Sequence, residues 1–149
     1  MTRRNDIVDR YVAMFNEPDE DIRRKMISEL YAPNAVYTVY TNGALEGHEA
    51  IEGQVTYAHE EFHKRGFVFK SSNNALGHHQ LVKFNWVAVS VETGEVEALC
   101  TDVFVLDDAG RIQADHQFHD KIPRFAVVRD LEVLLMGGNA MAGASMPGQ

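Results

Sequence analysis

The sequence predicts an α+β fold in which three helices come first and an antiparallel sheet follows. Three observations predict it. Apolar residues recur every three or four positions through residue 64, the period of an amphipathic helix. From Phe67 to His119 the pattern alternates instead, as it does in half-buried strands. Turn signals at Thr93-Gly94 and Asp107-Asp108-Ala109-Gly110 divide that stretch into segments close enough in sequence to pair as hairpins.

Each element has its own signature. Ile7, Val8, Tyr11, Val12 and Phe15 form the stripe of a first helix of about three turns, which Asn16-Glu17-Pro18-Asp19 breaks. Asp19 is a suitable N-cap for a second helix, with Ile22, Met26 and Leu30 as its inner stripe and Pro33 as its stop. Ala35 to Thr41 reads as a strand ended by Asn42-Gly43. A third helix runs from about Glu49 to Lys64, turns Ile51, Val55, Ala58 and Phe62 inward, and closes at Gly66. Strands follow over Phe67–Ser71, Gln80–Val91, Glu95–Leu106 and Arg111–His119. Residues 125–136 are apolar enough for a short covering helix. One domain is expected over residues 1–136, with 137–149 as a loose small-residue tail.

The last hairpin carries the most information. If Leu106 faces Arg111, Asp102 falls opposite Asp115, Cys100 opposite Gln117 and Ala98 opposite His119. Alternation then gathers Asp102, Asp115, Gln117 and His119 on one face. A carboxylate inside the apolar run Cys-Thr-Asp-Val-Phe-Val-Leu is costly unless it is paired, hydrogen-bonded or protonated, so Asp102 marks a candidate site. If Glu92 faces Glu95, Asn85 falls opposite Asp102 and Lys83 one pair further on, so both join that face. A bulge at Gly94 would break this second register. The opposite face collects Phe84, Trp86, Thr101, Val103, Val105, Ile112, Ala114 and Phe118. It has to be covered, by the helices or by a second subunit.

Composition narrows the function. The 149 residues carry a net charge of −8, which argues against nucleic acid or an anionic membrane as the partner. No run is long enough to span a bilayer. The N-terminus has arginines but no apolar core of a signal peptide. With a single cysteine, Cys100, no internal disulfide forms, and a reducing, cytoplasmic setting is expected.

His59-Glu60-Glu61-Phe62-His63 matches the H-E-x-x-H pattern, in which two His one helical turn apart hold zinc and the Glu acts as base. The longer form of that motif needs a ligand at position 69, which is Phe69. A solvated helix edge therefore explains the motif better than a zinc hydrolase, and no metal is assigned. His78 and His79, adjacent on a strand, point to opposite faces and read as a turn pair.

The order helix–helix–strand–helix–sheet resembles the SnoaL-like branch of the nuclear-transport-factor-2-like superfamily. Leu30-Tyr31-Ala32-Pro33-Asn34-Ala35-Val36-Tyr37 is similar to that family's helix-to-strand phrase. Gly47-His48-Glu49-Ala50-Ile51 is similar to its loop into the third helix, and Phe104 to Gln113 to its final hairpin. The resemblance implies a cone: three helices on a curved sheet of four to six strands enclosing a ligand-sized cavity. Comparison with ketosteroid isomerase implies that Tyr11 and Asp102 share a pocket and hydrogen-bond an enolate oxygen. The aspartate base of that enzyme would fall at Val39. His119 or Asp115 could move the proton instead.

The expected function is therefore an acid–base enzyme of isomerase, cyclase or dehydratase type on a carbonyl or polyketide-like substrate. Tyr11, Asp102, His119 and Asp115 are its candidate catalytic groups. Asn85, Lys83, Gln117 and Cys100 are its candidate substrate contacts, with no cofactor and a homodimer through the sheet face. The rival reading is a ligand-binding or association module of the same fold without chemistry. Each residue also has a plain alternative: Tyr11 as a core tyrosine, Asp102 as an ion-pair partner of Lys83, His119 as a solvated strand end.

Overall fold

The structure, a computed structural model, describes residues 2–40 and 43–126. Three helices, α1 (Thr2–Asn16), α2 (Glu20–Leu30) and α3 (His48–His63), pack on one face of a curved sheet. The strands are β1 (Tyr31–Thr38), β2 (Leu45–Glu46), β3 (Phe67–Ser71), β4 (Leu76–His78), β5 (Leu81–Ser90), β6 (Val96–Leu106) and β7 (Ile112–Lys121), with a 3₁₀ turn at Arg124–Ala126. The sheet order is β2-β1-β7-β6-β5-β3, with β4 pairing β5. The sheet is mixed, because β1 runs parallel to β7, and it does not close into a barrel. It has seven strands, one more than the upper bound expected.

α1 buries Ile7, Val8, Tyr11, Val12, Met14 and Phe15, the stripe its spacing predicts. α2 begins where expected: the Asp19 carboxylate accepts from Asp21 N at 2.9 Å and Ile22 N at 3.1 Å. Its inner face is rotated by one residue from the prediction. Ile22 is 49 % exposed, while Arg23, Ile27 and Leu30 are buried. The adjacent stripes Ile22-Met26 and Arg23-Ile27 compete, and Arg23 turns inward where its guanidinium finds partners. It donates to the Glu17 carbonyl and, at 3.3 Å, to Thr56 Oγ1.

β1 starts four residues before the expected strand, directly from the end of α2. Pro33 sits where the pairing with β7 is interrupted, between Tyr31↔Ile112 and Val36↔Ala114, so its missing N–H costs no ladder bond. The predicted strand from Gln80 to Val91 is split, since His79 turns through φ 54° between β4 and β5. The predicted helix over 125–136 and the tail lie almost wholly outside the described residues.

Two irregularities decide which side chains face the helices. In β5–β6, Ala88 pairs Ala98 but Val89 pairs Val96, so Glu97 is an extra residue in β6. Both Glu97 and Ala98 are buried, and the Glu97 carboxylate accepts from Arg124 N at 2.7 Å and Arg124 Nη2 at 3.0 Å. The bulge moves the register by one: Phe84, not Asn85, faces Asp102. Phe84, Trp86 and Ala88 thus join the helix-facing side, and Lys83 and Asn85 leave it. In β6–β7 the five-residue turn 107–111 and the extra residue Gln113 shift the register by two. Asp102 pairs Gln117, Cys100 pairs His119 and Phe104 pairs Asp115. An even shift keeps the predicted face, so Asp102, Asp115, Gln117 and His119 still look toward the helices.

Candidate active site

The helix-facing side of the sheet holds two adjoining layers of polar groups, one sealed and one open. The sealed layer centres on Asp102, which is fully buried. Its Oδ2 accepts from the Tyr11 hydroxyl at 2.9 Å and its Oδ1 from Trp86 Nε1 at 2.7 Å. Asp115, equally buried, accepts at Oδ2 from the Tyr31 hydroxyl at 2.8 Å and leaves its Oδ1 without a donor among the described residues. It lies close enough to Asp102 for each carboxyl to shift the other's ionisation. Burial pushes the Asp102 carboxyl well above the ordinary aspartate range, and the negative charge of Asp115 adds to the rise. Burial raises Asp115 as well, against the opposing effect of its neighbours Asp102, Tyr31 and Tyr11. Both shifts favour a proton on the pair in the folded chain.

The aromatic cage explains why bulk water is kept away. Tyr11 packs edge-on against Phe15, Phe84, Trp86 and Phe104 at centroid distances of 5.0–5.5 Å. Burial, followed by the Asp102 charge, raises the Tyr11 phenol well above its usual value, so it stays a donor.

The open layer is a cavity of about 80 Å³ on the other side of Trp86. From the sheet, Tyr37, Trp86, Cys100, Gln117 and His119 line it, with Val39 just beyond the end of β1. α3 contributes Gln54, Tyr57, Glu61 and Phe62, and Phe125 closes one side. Tyr37 donates to Gln117 Oε1, and Gln117 Nε2 reaches only the soft Cys100 sulfur at 3.6 Å. That amide therefore keeps donor capacity for a stronger acceptor. His119 is half-buried, its ring edge-on to Tyr40 at 5.4 Å. Burial pushes the Cys100 thiol up, with Asp102 adding to it, so the sulfur is no thiolate nucleophile. At the rim, Arg65 and Lys64 hold Glu61 below the usual carboxylate range.

The candidate residues thus divide. Gln117, His119 and Cys100 line the cavity. Tyr11, Asp102 and Asp115 come together but lie behind its wall, reached through Trp86. Lys83 is exposed on the far face, and Asn85 there binds Thr101 Oγ1 at 2.7 Å and the Cys100 carbonyl at 3.2 Å. The Glu97 bulge is the reason neither reaches the site, and it also rules out a structural Asp102–Lys83 ion pair. Sequence reasoning missed Tyr31 and Tyr37, which it used only as fold markers, and placed Trp86 on the wrong face. Both tyrosines alternate with Ala35 and Val39 along β1, a signal that the parallel pairing with β7 would have exposed.

The H-E-x-x-H histidines are engaged elsewhere. His59 Nδ1 donates to the Phe15 carbonyl at 2.8 Å, and His63 Nε2 to Asn16 Oδ1 at 3.1 Å, which fastens α3 to the end of α1. Among the described residues, no three His, Cys, Asp or Glu side chains converge as metal ligands. No helix among them is long and apolar enough to cross a membrane.

The sequence matches the family model of the SnoaL-like domain over residues 8–114. Among solved structures, the chain is similar to a candidate isomerase of the SnoaL-like family from Agrobacterium tumefaciens str. C58. The two are 30 % identical over 80 % of this chain and 99 % of that one, with a TM-score of 0.71. A candidate polyketide cyclase from Sinorhizobium meliloti shares 21 % identity over 75 % of this chain and 93 % of that one, TM-score 0.58. SalBIII, an epoxide hydrolase/cyclase-like enzyme of pyran ring formation in the polyether salinomycin, shares 18 % over 79 % and 91 %, TM-score 0.58. These last two likenesses speak for the fold. No curated protein matches the sequence.

Proposed function

We propose that this chain, which belongs to the SnoaL-like family of the nuclear-transport-factor-2-like superfamily, is an acid–base enzyme of isomerase, cyclase or dehydratase type. Its substrate is a carbonyl or polyketide-like molecule held in the Trp86–His119 cavity. The observation that carries the reading is the meeting of His119, Gln117 and Tyr37 on one wall of an otherwise apolar cavity. The neighbours described as isomerase and cyclase support the class of reaction.

In this reading the substrate carbonyl takes a hydrogen bond from Gln117 Nε2, an amide that Tyr37 orients by donating to its Oε1. The His119 imidazole accepts the proton from the adjacent carbon and returns it to another atom of the enolate, or to a leaving hydroxyl. Asp102, Asp115 and Tyr11 are positioning residues. They touch the cavity through the Trp86 indole and through Gln117, which faces Asp102 across β6–β7. A second copy covers the outer sheet face around Phe118, no nucleic acid or membrane takes part, and the buried free Cys100 suits a reducing cytoplasm.

One observation favours the rival, a binding module without chemistry: apolar Val39 lines the cavity where the resemblance places a carboxylate base. Proton–deuterium exchange into enolisable ketones separates the two. Wild-type exchange that falls about 100-fold in His119→Ala, the usual scale for a lost general base, supports the enzyme. Asp102→Asn should shift the pH profile of that exchange, which a purely structural residue would not do. Saturable ligand-induced thermal stabilisation with no exchange supports the module.

A further inference from the structure

The molecule has a second concavity, larger than the first, at the other end of α1. It encloses about 400 Å³ between the N-terminal half of α1 and the ends of β5 and β6, and it shares no lining residue with the Trp86–His119 cavity. Phe15, which lines the first cavity, lies five residues beyond Arg10, about 7 Å further along the helix axis. Ile7, Val82 and Leu106 give the second groove an apolar floor, Arg4 and Arg10 stand on its wall, and the turn residues Ala109 and Gly110 form the far rim.

We propose that this groove binds an organic oxyanion, a phosphate monoester or carboxylate that carries a short apolar stem. Charge complementarity is the first argument. The chain is acidic overall at −8, and Arg24, Arg65 and Arg124 each pair with a carboxylate. Among the described residues no carboxylate lies within ion-pair distance of Arg4 or Arg10, although Asp6 shares the groove with them. Two guanidinium groups against one carboxylate leave the groove net positive. Guanidinium forks match the paired oxygens of phosphate and carboxylate.

Preorganisation is the second argument. Gly77 pairs with Val82 of the groove floor, and the Arg4 side chain lies against it. A Cβ at Gly77 would stand 3.0 Å from Arg4 Nε and would strike the Leu81 carbonyl. The Leu81 carbonyl requires glycine at that point, and the absence of a Cβ there leaves room for the Arg4 side chain to lie against β4. Asn5, between the groove residues in sequence, accepts from Ala75 N at 3.3 Å and ties this turn of α1 to the sheet. A held arginine loses less freedom on binding than a loose surface one. The apolar floor beneath the charges selects an amphipathic anion over a free inorganic one.

The test is amide NMR titration of the full chain with hexyl phosphate, hexanoate, hexanol and inorganic phosphate. Either hexyl anion should produce saturable shifts centred on Ile7, Ala109 and Gly110. It should bind at least tenfold tighter than hexanol or inorganic phosphate. Arg4→Gln/Arg10→Gln should weaken that binding at least tenfold while leaving the remaining spectrum in place. Ala109→Trp, at an exposed turn position, should block it sterically. Hexanol binding as well as the anions, unaltered binding in the double variant, shifts confined to the Trp86–His119 cavity, or no saturable shift would each overturn the proposal. None of these outcomes depends on catalysis at His119.

Discussion

Asp102 and Asp115 meet on a diagonal across β6 and β7, one cross-strand pair apart. Asp102 is in register with Gln117, and Asp115 with Phe104. That offset makes the two carboxyls diagonal neighbours, while Tyr11 and Trp86 donate to the two oxygens of Asp102 and Tyr31 to Oδ2 of Asp115. Directly opposed carboxylates would only repel. Burial and this closeness both favour keeping a proton on the pair.

The raised Asp102 carboxyl fixes a pH dependence. Asp102 binds its proton more tightly in the folded chain than in the unfolded one. Its contribution to stability is complete below the unfolded aspartate range and is lost as pH rises through the raised folded value. Wild-type stability should thus decline on going up from the acid range. Asp102→Asn, which keeps a donor and an acceptor without a charge, should flatten that decline relative to wild type. Urea unfolding followed by far-UV circular dichroism across pH measures both. Equal slopes in the two proteins would refute the raised Asp102 carboxyl. Asp102→Ala should instead cost about 3 kcal/mol at any pH, because the Tyr11 and Trp86 donors are left buried without an acceptor.

Val39 offers a gain-of-function test. It lines the cavity at the end of β1, two residues past Tyr37. Val39→Asp would set a carboxylate beside the Gln117 amide, at a stability cost of about 1–3 kcal/mol for a partly desolvated polar group. Exchange into enolisable ketones is expected to rise at least tenfold. No rise in a variant that remains folded would show that a ligand's acidic carbon does not lie near this position.

The outer sheet face gives a test of assembly. Phe118 is 58 % exposed there, flanked by Val103, Val105 and Ala114 on the same side of β6 and β7. Sedimentation velocity should return a dimer for wild type and a monomer for Phe118→Asp, with unchanged circular dichroism. A monomeric wild type removes the proposed interface.

Zinc is separable by a single assay. His59 and His63 each spend a ring N–H on α1, and burial together with the His59 charge lowers the His63 pKa. Purified protein is expected to hold well short of one zinc per chain. His59→Ala should lower the melting temperature through the lost bond to the Phe15 carbonyl, and added chelator should leave the wild-type value where it was. Stoichiometric zinc would revive the hydrolase reading.

Periodicity suffices for the buried stripes of α1 and α3, and for the face of β6 and β7, because a period-of-two pattern survives an even shift of register. It was not enough for β5. The extra residue Glu97 makes an odd shift, and no local feature of Val96-Glu97-Ala98 announces it. The partner of its buried carboxylate, Arg124, lies twenty-seven positions away in sequence. The rotation of α2 has the same character, since Arg23 is buried by partners on other elements. Tyr11 and Asp102 were legible as a pair, but their place behind Trp86 was not, because it follows from that same flipped strand.

Trp86 is the only tryptophan in the chain. Its indole borders the ligand space on one side and bonds to the carboxyl network on the other. Intrinsic fluorescence, with no label attached, should therefore respond to two separate events: quenching or a spectral shift when the hollow fills, and a titration when the Asp102 carboxyl loses its proton. The protein carries its own optical reporter at the one place where occupancy and ionisation meet.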